Sequence, residues 1–252
     1  MTDRRASCDN PYETYEVGDK IYWMGFADRQ AGFSNNPYLI VSDEGATLID
    51  PGSVLHYHVV AKKIVQLIKP DAITTIIVQH QDPDLCASIP KFEALIEHPI
   101  RVVVPPRAAV FMQYYGITSE LITPADGSTL SVSGRALEFH YTPYVHFAQA
   151  MMTWDASTGT LFSSDVFGAF TKRWRLFADE DYVEETRSFI EPYVGSQGAW
   201  LYALERTRRL RPKRICPQHG CIIDRDIDKY LDAIAKFQVA TGLPKEWRDV
   251  RK

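Results

Sequence analysis

The segment "AITTIIVQHQDPD" (residues 72–84) constrains the fold of this chain more than any other. Its first half is apolar and β-branched on successive residues, the pattern of a strand covered on both faces. Such a strand belongs in the middle of a sheet with packed layers above and below. The same segment then runs directly into His80, Asp82 and Asp84. An imidazole and two carboxylates at the mouth of a buried strand are costly unless something neutralises them, and a cation does so. If the loop stays extended, alternation points all three side chains one way, and Pro83 favours an extended Asp82. The alternative is an Asx turn in which Asp82 and Asp84 cap the helix that follows.

The surrounding pattern supplies the layers. "KIYWMGF" and "PYLIVSDEGATLID" read as strands, with turns at "ADRQ" and "SDEG". "LHYHVVAKKIVQLIK" carries apolar residues at helical spacing and is followed by Pro70. "SIPKFEALIEH" and "RAAVFMQYYG" read as helices on either side of a strand at "IRVVVPP". Two hairpins follow, turned at "SGR" and "DASTG". The helical stretch from Asp181 to Leu210 is interrupted near Pro192 to Gly195, and a strand at "PKRICPQHG" precedes a terminal helix over "DIDKYLDAIAKFQVATG". A β-rich stretch followed by alternation occurs twice. That order predicts an α/β (α+β) chain folded as a four-layer αββα sandwich: two mixed sheets face to face, with helices on both outer faces, as a single domain over residues 1–252.

Composition narrows the function. The 252 residues carry a net charge of −4, and a concentrated basic face, which phosphate binding needs, is missing. Nucleic acid is excluded as the main partner, and the basic run "RTRRLRPKR" reads as a solvated helix face and its exit loop. No stretch approaches the ~20 apolar residues of a membrane span, and "MTDRRASCDN" lacks the apolar core of a signal peptide. A cytoplasmic protein with no membrane partner is expected. Four cysteines without a C-x-x-C pair suggest packed thiols, not a disulfide framework or a zinc knuckle.

Further candidate ligands lie where other strands end: Asp165 in "LFSSDVFG", His219 in "ICPQHG", and His146 in the loop "YTPYVHF". Histidine nitrogen and carboxylate oxygen suit zinc, manganese and iron alike. His56, His58, His98 and His140 read as surface, capping or half-buried residues. Tyr144, Phe147, Phe167 and Trp174 flank the motifs and are candidate pocket walls. "FTKRWRLF" is a candidate docking loop.

Taken together these motifs resemble the diiron domain of the flavodiiron family, a metallo-β-lactamase fold, over nearly the whole chain. "NPYLIVSDEGATLIDPGS" is similar to that family's opening hairpin, "HQDPD" to its H-x-E-x-D motif, "LFSSDVFGAF" to its bridging-aspartate motif and "ICPQHG" to its last histidine motif. The resemblance implies that His80, Asp82 and His146 hold one metal, Asp84 and His219 the other, and Asp165 bridges them. It implies that Asp50 orients a ligand without binding. Two departures stand out: Asp82 replaces a glutamate one methylene longer, and Leu85 replaces a histidine, leaving the second metal an open position.

Three carboxylates and three imidazoles form an oxygen-rich set, which favours two iron ions, with a bridging oxo, hydroxo or O2, over zinc. The chain has no G-x-G-x-x-G and no P-loop, and no flavodoxin domain or FMN is expected in it. The resemblance then implies the stand-alone oxygen-binding type: an O2 sensor or carrier, acting as a homodimer and read by a signalling or redox partner. The alternatives are an O2 or NO reductase fed by a separate redox protein, and a dinuclear zinc hydrolase.

Overall fold

The structure, a computed structural model, describes residues 8, 10–28 and 33–239. The chain runs β1 (Tyr15–Gly18), β2 (Ile21–Trp23), β3 (Phe26–Asp28), β4 (Phe33–Asn35), β5 (Tyr38–Ser42), β6 (Gly45–Ile49), α1 (Tyr57–Leu67) and β7 (Ile73–Ile77). It continues α2 (Pro83–Cys86), α3 (Ile89–Leu95), β8 (Arg101–Val103), α4 (Pro106–Met112), β9 (Glu120–Ile122), β10 (Thr129–Val132), β11 (Arg135–Thr142), β12 (Ala150–Asp155) and β13 (Thr160–Ser164). It closes with α5 (Tyr182–Tyr193), α6 (Gln197–Leu210), β14 (Arg214–Pro217) and α7 (Ile227–Ile234).

Two sheets carry the fold. One is ordered β1-β2-β5-β6-β7-β8-β9, the other β10-β11-β12-β13-β14, and β3 and β4 form a separate pair. Each large sheet begins with antiparallel neighbours and becomes parallel toward its far edge, from β6 onward in the first and between β13 and β14 in the second. The repeated β-rich then alternating order of the sequence is this repetition.

Strand alternation decides what each layer touches. In the first sheet Leu39, Leu48, Ile76 and Val102 face a cluster with Val60, Ile64, Phe92 and Met112 of the helices. Their neighbours Ile40, Ile49, Ile77 and Val103 face the other way, into a cluster with Leu137, Phe139, Met151 and Phe162 of the second sheet. On that sheet Met152, Leu161 and Ile215 turn outward onto Phe189, Trp200, Leu204 and Leu231 of α5, α6 and α7. Period two thus places successive residues of one strand in two different cores. The result is the expected four-layer αββα sandwich.

Several local expectations change. β7 ends at Ile77, so the run to His80 leaves the sheet before its polar residues appear. "KIYWMGF" breaks at Gly25 into β2 and β3, which lie in different sheets. The turn expected at "ADRQ" falls partly outside the described residues, and the terminal helix, expected to run on through "AKFQVATG", ends at Ile234. β9, with its exposed and half-buried side chains, has no apolar run to announce it. Lys63 of α1 is buried; it donates to the carbonyls of Pro11 and Gly25 and lies 4.1 Å from the centre of the Trp23 ring. Among the described residues no helix is long and apolar enough to cross a membrane.

Gly25 is fixed by sterics. A Cβ there would lie 2.1 Å from the carbonyl oxygen of Asn35 and 2.9 Å from the Trp23 ring. Gly116 is left-handed at φ +77° but has open space around it. Gly25→Ala is therefore expected to cost about 1–3 kcal/mol or more through forced backbone movement, and Gly116→Ala about 1 kcal/mol from its conformation alone. Urea denaturation of the two variants checks the order.

Candidate metal centre

The strand ends that carry the candidate residues lie at one rim of the sandwich. The backbone joins them: Met151 donates to the Gln79 carbonyl at 2.9 Å, and Gln218 to the Ser164 carbonyl at 2.9 Å. Asp50 at the end of β6 and Ser164 at the end of β13 both have positive φ, +47° and +54°. For residues other than glycine that conformation costs about 1–3 kcal/mol and persists only where surrounding contacts enforce it.

Six side chains converge there. His80 Nε2 lies 3.3 Å from Asp165 Oδ2 and 3.5 Å from Asp82 Oδ2. His146 Nε2 lies 2.9 Å from the same Asp165 oxygen and 3.2 Å from the same Asp82 oxygen. The other oxygen of Asp165 turns elsewhere: Oδ1 is 3.4 Å from His219 Nε2, which is 3.2 Å from Asp84 Oδ2. One carboxylate thus faces two groups of donors at once. Two imidazole nitrogens and two oxygens surround the first point, and one nitrogen and two oxygens the second.

The remaining ring nitrogens are tied down from behind. His219 Nδ1 faces the Ser34 carbonyl at 2.8 Å, which accepts a hydrogen bond from Nδ1–H and leaves Nε2 its lone pair. His80 Nδ1 meets Ser164 Oγ at 2.9 Å. His80 Nε2 and Asp165 Oδ1 are buried without a hydrogen-bond partner of proper geometry. Buried donors of this kind aimed at shared points, with their far nitrogens anchored, fit a pair of cations. Among the described residues, His80, His146 and Asp165 bring ligand atoms within 4.8 Å of one another, close enough to hold one ion.

The electrostatics agree. Burial would raise the Asp165 carboxyl, but His80, His219 and His146 outweigh it and hold it down to about 2. Burial also opposes ionisation of Asp82, yet His146 and His80 hold it well below the usual carboxylate range. His146 is pulled down by burial and raised more strongly by Asp165 and Asp82, to about 10. His80 and His219 are raised in the same way, against burial, by Asp165 and by Asp82 and Asp84 respectively. Protons on the imidazoles balance the carboxylates; a cation competes for the same lone pairs.

The loop after β7 does not stay extended. Asp82 is extended, but Pro83 starts a helical turn that carries Asp84 round to His219. Asp82 stands at the N-cap position and makes no side-chain cap bond, so the Asx-turn alternative gives way to contacts with His80 and His146. Asp50 accepts from both the backbone and the side-chain amide of Gln79, each at 2.8 Å. It therefore fixes the residue before His80 instead of an imidazole, and burial pushes its carboxyl up to about 7. Leu85 is buried and offers no donor.

The expected pocket walls separate. Phe167 is fully buried against Trp200 and Tyr230, in the core under α6 and α7. Tyr144 is exposed, and half-buried Phe147 meets Phe111 edge-on. Trp174 packs on Tyr15 and Trp23, which with the Arg175 pairs to Asp179 and Glu185 pins the "FTKRWRLF" loop to the body. The aromatic side chains at the centre are others: Tyr193 meets His146 and stacks on Phe189, which meets His219. No motif marks them, because they arrive from α5, which is distant in sequence from most of the ligand motifs.

Residues 33–220 match the family described as ODP family beta lactamase. The rubredoxin-oxygen oxidoreductase of Megalodesulfovibrio gigas is 27% identical over 227 residues, 84% of this chain and 54% of that protein. A mutant of the flavo di-iron protein from Thermotoga maritima superposes with a TM-score of 0.81 at 25% identity, over 88% of this chain and 60% of that one. The chemotaxis sensor ODP, solved as a peroxy diiron species, superposes with a TM-score of 0.76 at 25% identity, over 90% of this chain and 94% of the sensor. The chain thus spans little more than half the length of the flavodiiron relatives and nearly all of the sensor's. The four-layer sandwich is the metallo-β-lactamase fold.

Removal of metal has a pH signature. His146 contributes stability fully below its unfolded value of 6.5 and loses it as pH rises toward about 10. Asp165 contributes above its unfolded value of 3.8 and loses it as pH falls toward about 2. Protein stripped with a chelator is therefore expected to be most stable between about pH 4 and 6.5. Metal-loaded protein is expected to keep its stability above that window, because the cation replaces the protons. Denaturation midpoints against pH, with and without chelator, check this.

Proposed function

The chain belongs to the ODP family of β-lactamase-fold proteins, and from that premise we propose that it binds dioxygen at a dinuclear non-haem iron centre and reports the binding to another protein. His80, Asp82 and His146 would hold one ion, Asp84 and His219 the other, and Asp165 would give one oxygen to each. The observation that carries this is the split of Asp165: Oδ2 faces His80 and His146 while Oδ1 faces His219. A set of three imidazoles and three carboxylates suits iron better than a nitrogen-rich zinc site.

Two iron ions would supply the electrons and the open coordination that dioxygen requires. The chain's own residues do the rest. Ser164 and the Ser34 carbonyl orient two imidazoles. Asp165 neutralises charge on both sides. Tyr193 and Phe189 pack against His146 and His219. The second half-site has three protein atoms against four, with Leu85 in the place where the resemblance puts a histidine, and that difference leaves room for a small ligand there. Cytoplasmic location, a homodimer and a signalling or redox partner belong to the same proposal.

The rubredoxin-oxygen oxidoreductase of M. gigas and a nitric oxide reductase of Moorella thermoacetica, 23% identical over 91% of this chain, support a second reading, O2 or NO reduction with electrons from a separate protein. One experiment separates the two. The protein is purified without oxygen, its metals are counted, and its absorption is recorded before and after air. About two irons per chain and a new visible band that persists are the expected result. Rapid loss of the band, with turnover of O2 or NO when a reductase system is added, favours reduction. Two zinc ions, no band and hydrolysis of a generic ester would overturn both.

A further inference from the structure

The loop that carries His80, Asp82 and Asp84 is held by groups that the ligand set does not explain. The Tyr115 hydroxyl donates to the carbonyl of Gln81, between two of the proposed ligands, at 2.6 Å. The buried thiol of Cys86 reaches the same carbonyl and that of Asp82, both at 3.3 Å. It has one proton to share between them, so Tyr115 is the stronger donor. The Gln81 side-chain amide in turn donates to Asp82 Oδ1 at 2.8 Å. The other Asp82 oxygen is the one that faces His80 and His146.

The two oxygens of Asp82 therefore have separate employments. A carboxylate with both oxygens free can chelate a cation with two bonds; one with Oδ1 tied to an amide favours binding through Oδ2. Tyr115 sits in the turn after α4, on a different segment from every candidate ligand. Its bond holds the peptide between His80 and Asp82 from outside. A short aspartate side chain needs that help, since it reaches toward His146 with one methylene where a glutamate has two.

We propose that Tyr115 and Gln81 are positioning residues of the metal centre: Tyr115 clamps the Gln81 carbonyl to set the spacing of the ligand loop, and the Gln81 amide restricts Asp82 to a single metal-facing oxygen. This rests on the reading that the six residues bind two metal ions, and the test distinguishes the two claims.

Cobalt(II) is the probe, because its visible bands report coordination number and geometry. Wild-type protein, Tyr115→Phe, Gln81→Leu and the neighbouring control Tyr114→Phe are stripped, reloaded with cobalt and compared. Tyr114 is exposed. Should wild type take up no cobalt at the site, the metal-binding reading fails first and the inference with it. Given wild-type loading, Gln81→Leu is expected to keep both ions but show weaker visible bands, as Asp82 adds its second oxygen. Tyr115→Phe is expected to lose one ion to a chelator about 10- to 100-fold more readily. Tyr114→Phe should match wild type in both. Unchanged cobalt spectra and affinities in Tyr115→Phe and Gln81→Leu would overturn the inference. So would a lower melting temperature of the stripped variants with a wild-type cobalt spectrum, since that marks a role in folding alone.

Discussion

The buried carboxylate of Asp165 is the contact on which the rest of the site depends. It lies within 3.4 Å of three imidazole nitrogens drawn from three separate segments. Moving an unpaired carboxylate out of water costs several kcal/mol, so this position is tenable only when cations or protonated imidazoles surround it. Protons and metal ions are interchangeable here as charge and compete for the same nitrogen lone pairs, but only a metal ion draws several of those lone pairs to one point. The anchoring of His80 by Ser164 and of His219 by the Ser34 carbonyl sets those directions.

The scaffold places these segments by bringing strand ends to one rim. β7 delivers His80 only after leaving the sheet at Ile77, and Asp50 catches Gln79 there by both its backbone and its side chain. β13 ends at Ser164 in a left-handed conformation, which redirects the chain just before Asp165. Three layers of apolar packing, one between the sheets and one under each set of helices, hold these departures from regular geometry in place. Strain at the rim is offset by order in the body.

Much of this was legible in the residues. The apolar run before His80, the hairpins at "SGR" and "DASTG", and the break near Pro192 are local signals that local physics honours: β10 with β11, β12 with β13, and the junction between α5 and α6 all lie where expected. His80, Asp82, Asp84, Asp165 and His219 stand in short motifs next to strands, so their candidacy needed no tertiary information. Phe167 was misplaced for the converse reason. It stands two residues from Asp165, but a positive φ turns the chain there and sends the ring into the core against Trp200. Tyr193, Phe189, Tyr115 and Lys63 were not visible as site or core residues, because each acts on a segment far away in sequence.

The amino-acid sequence by itself determined the layers, through a period of two that sends Ile76 to one core and Ile77 to another. It also determined which side chains were available to hold a cation. Tertiary structure alone decided how they are shared: which oxygen of Asp165 faces which imidazole, and that Asp50 serves Gln79. The reason is physical. Periodicity and strand ends follow from neighbours along the chain, whereas the direction of a lone pair follows from packing between segments up to 185 residues apart, the separation of Ser34 from His219.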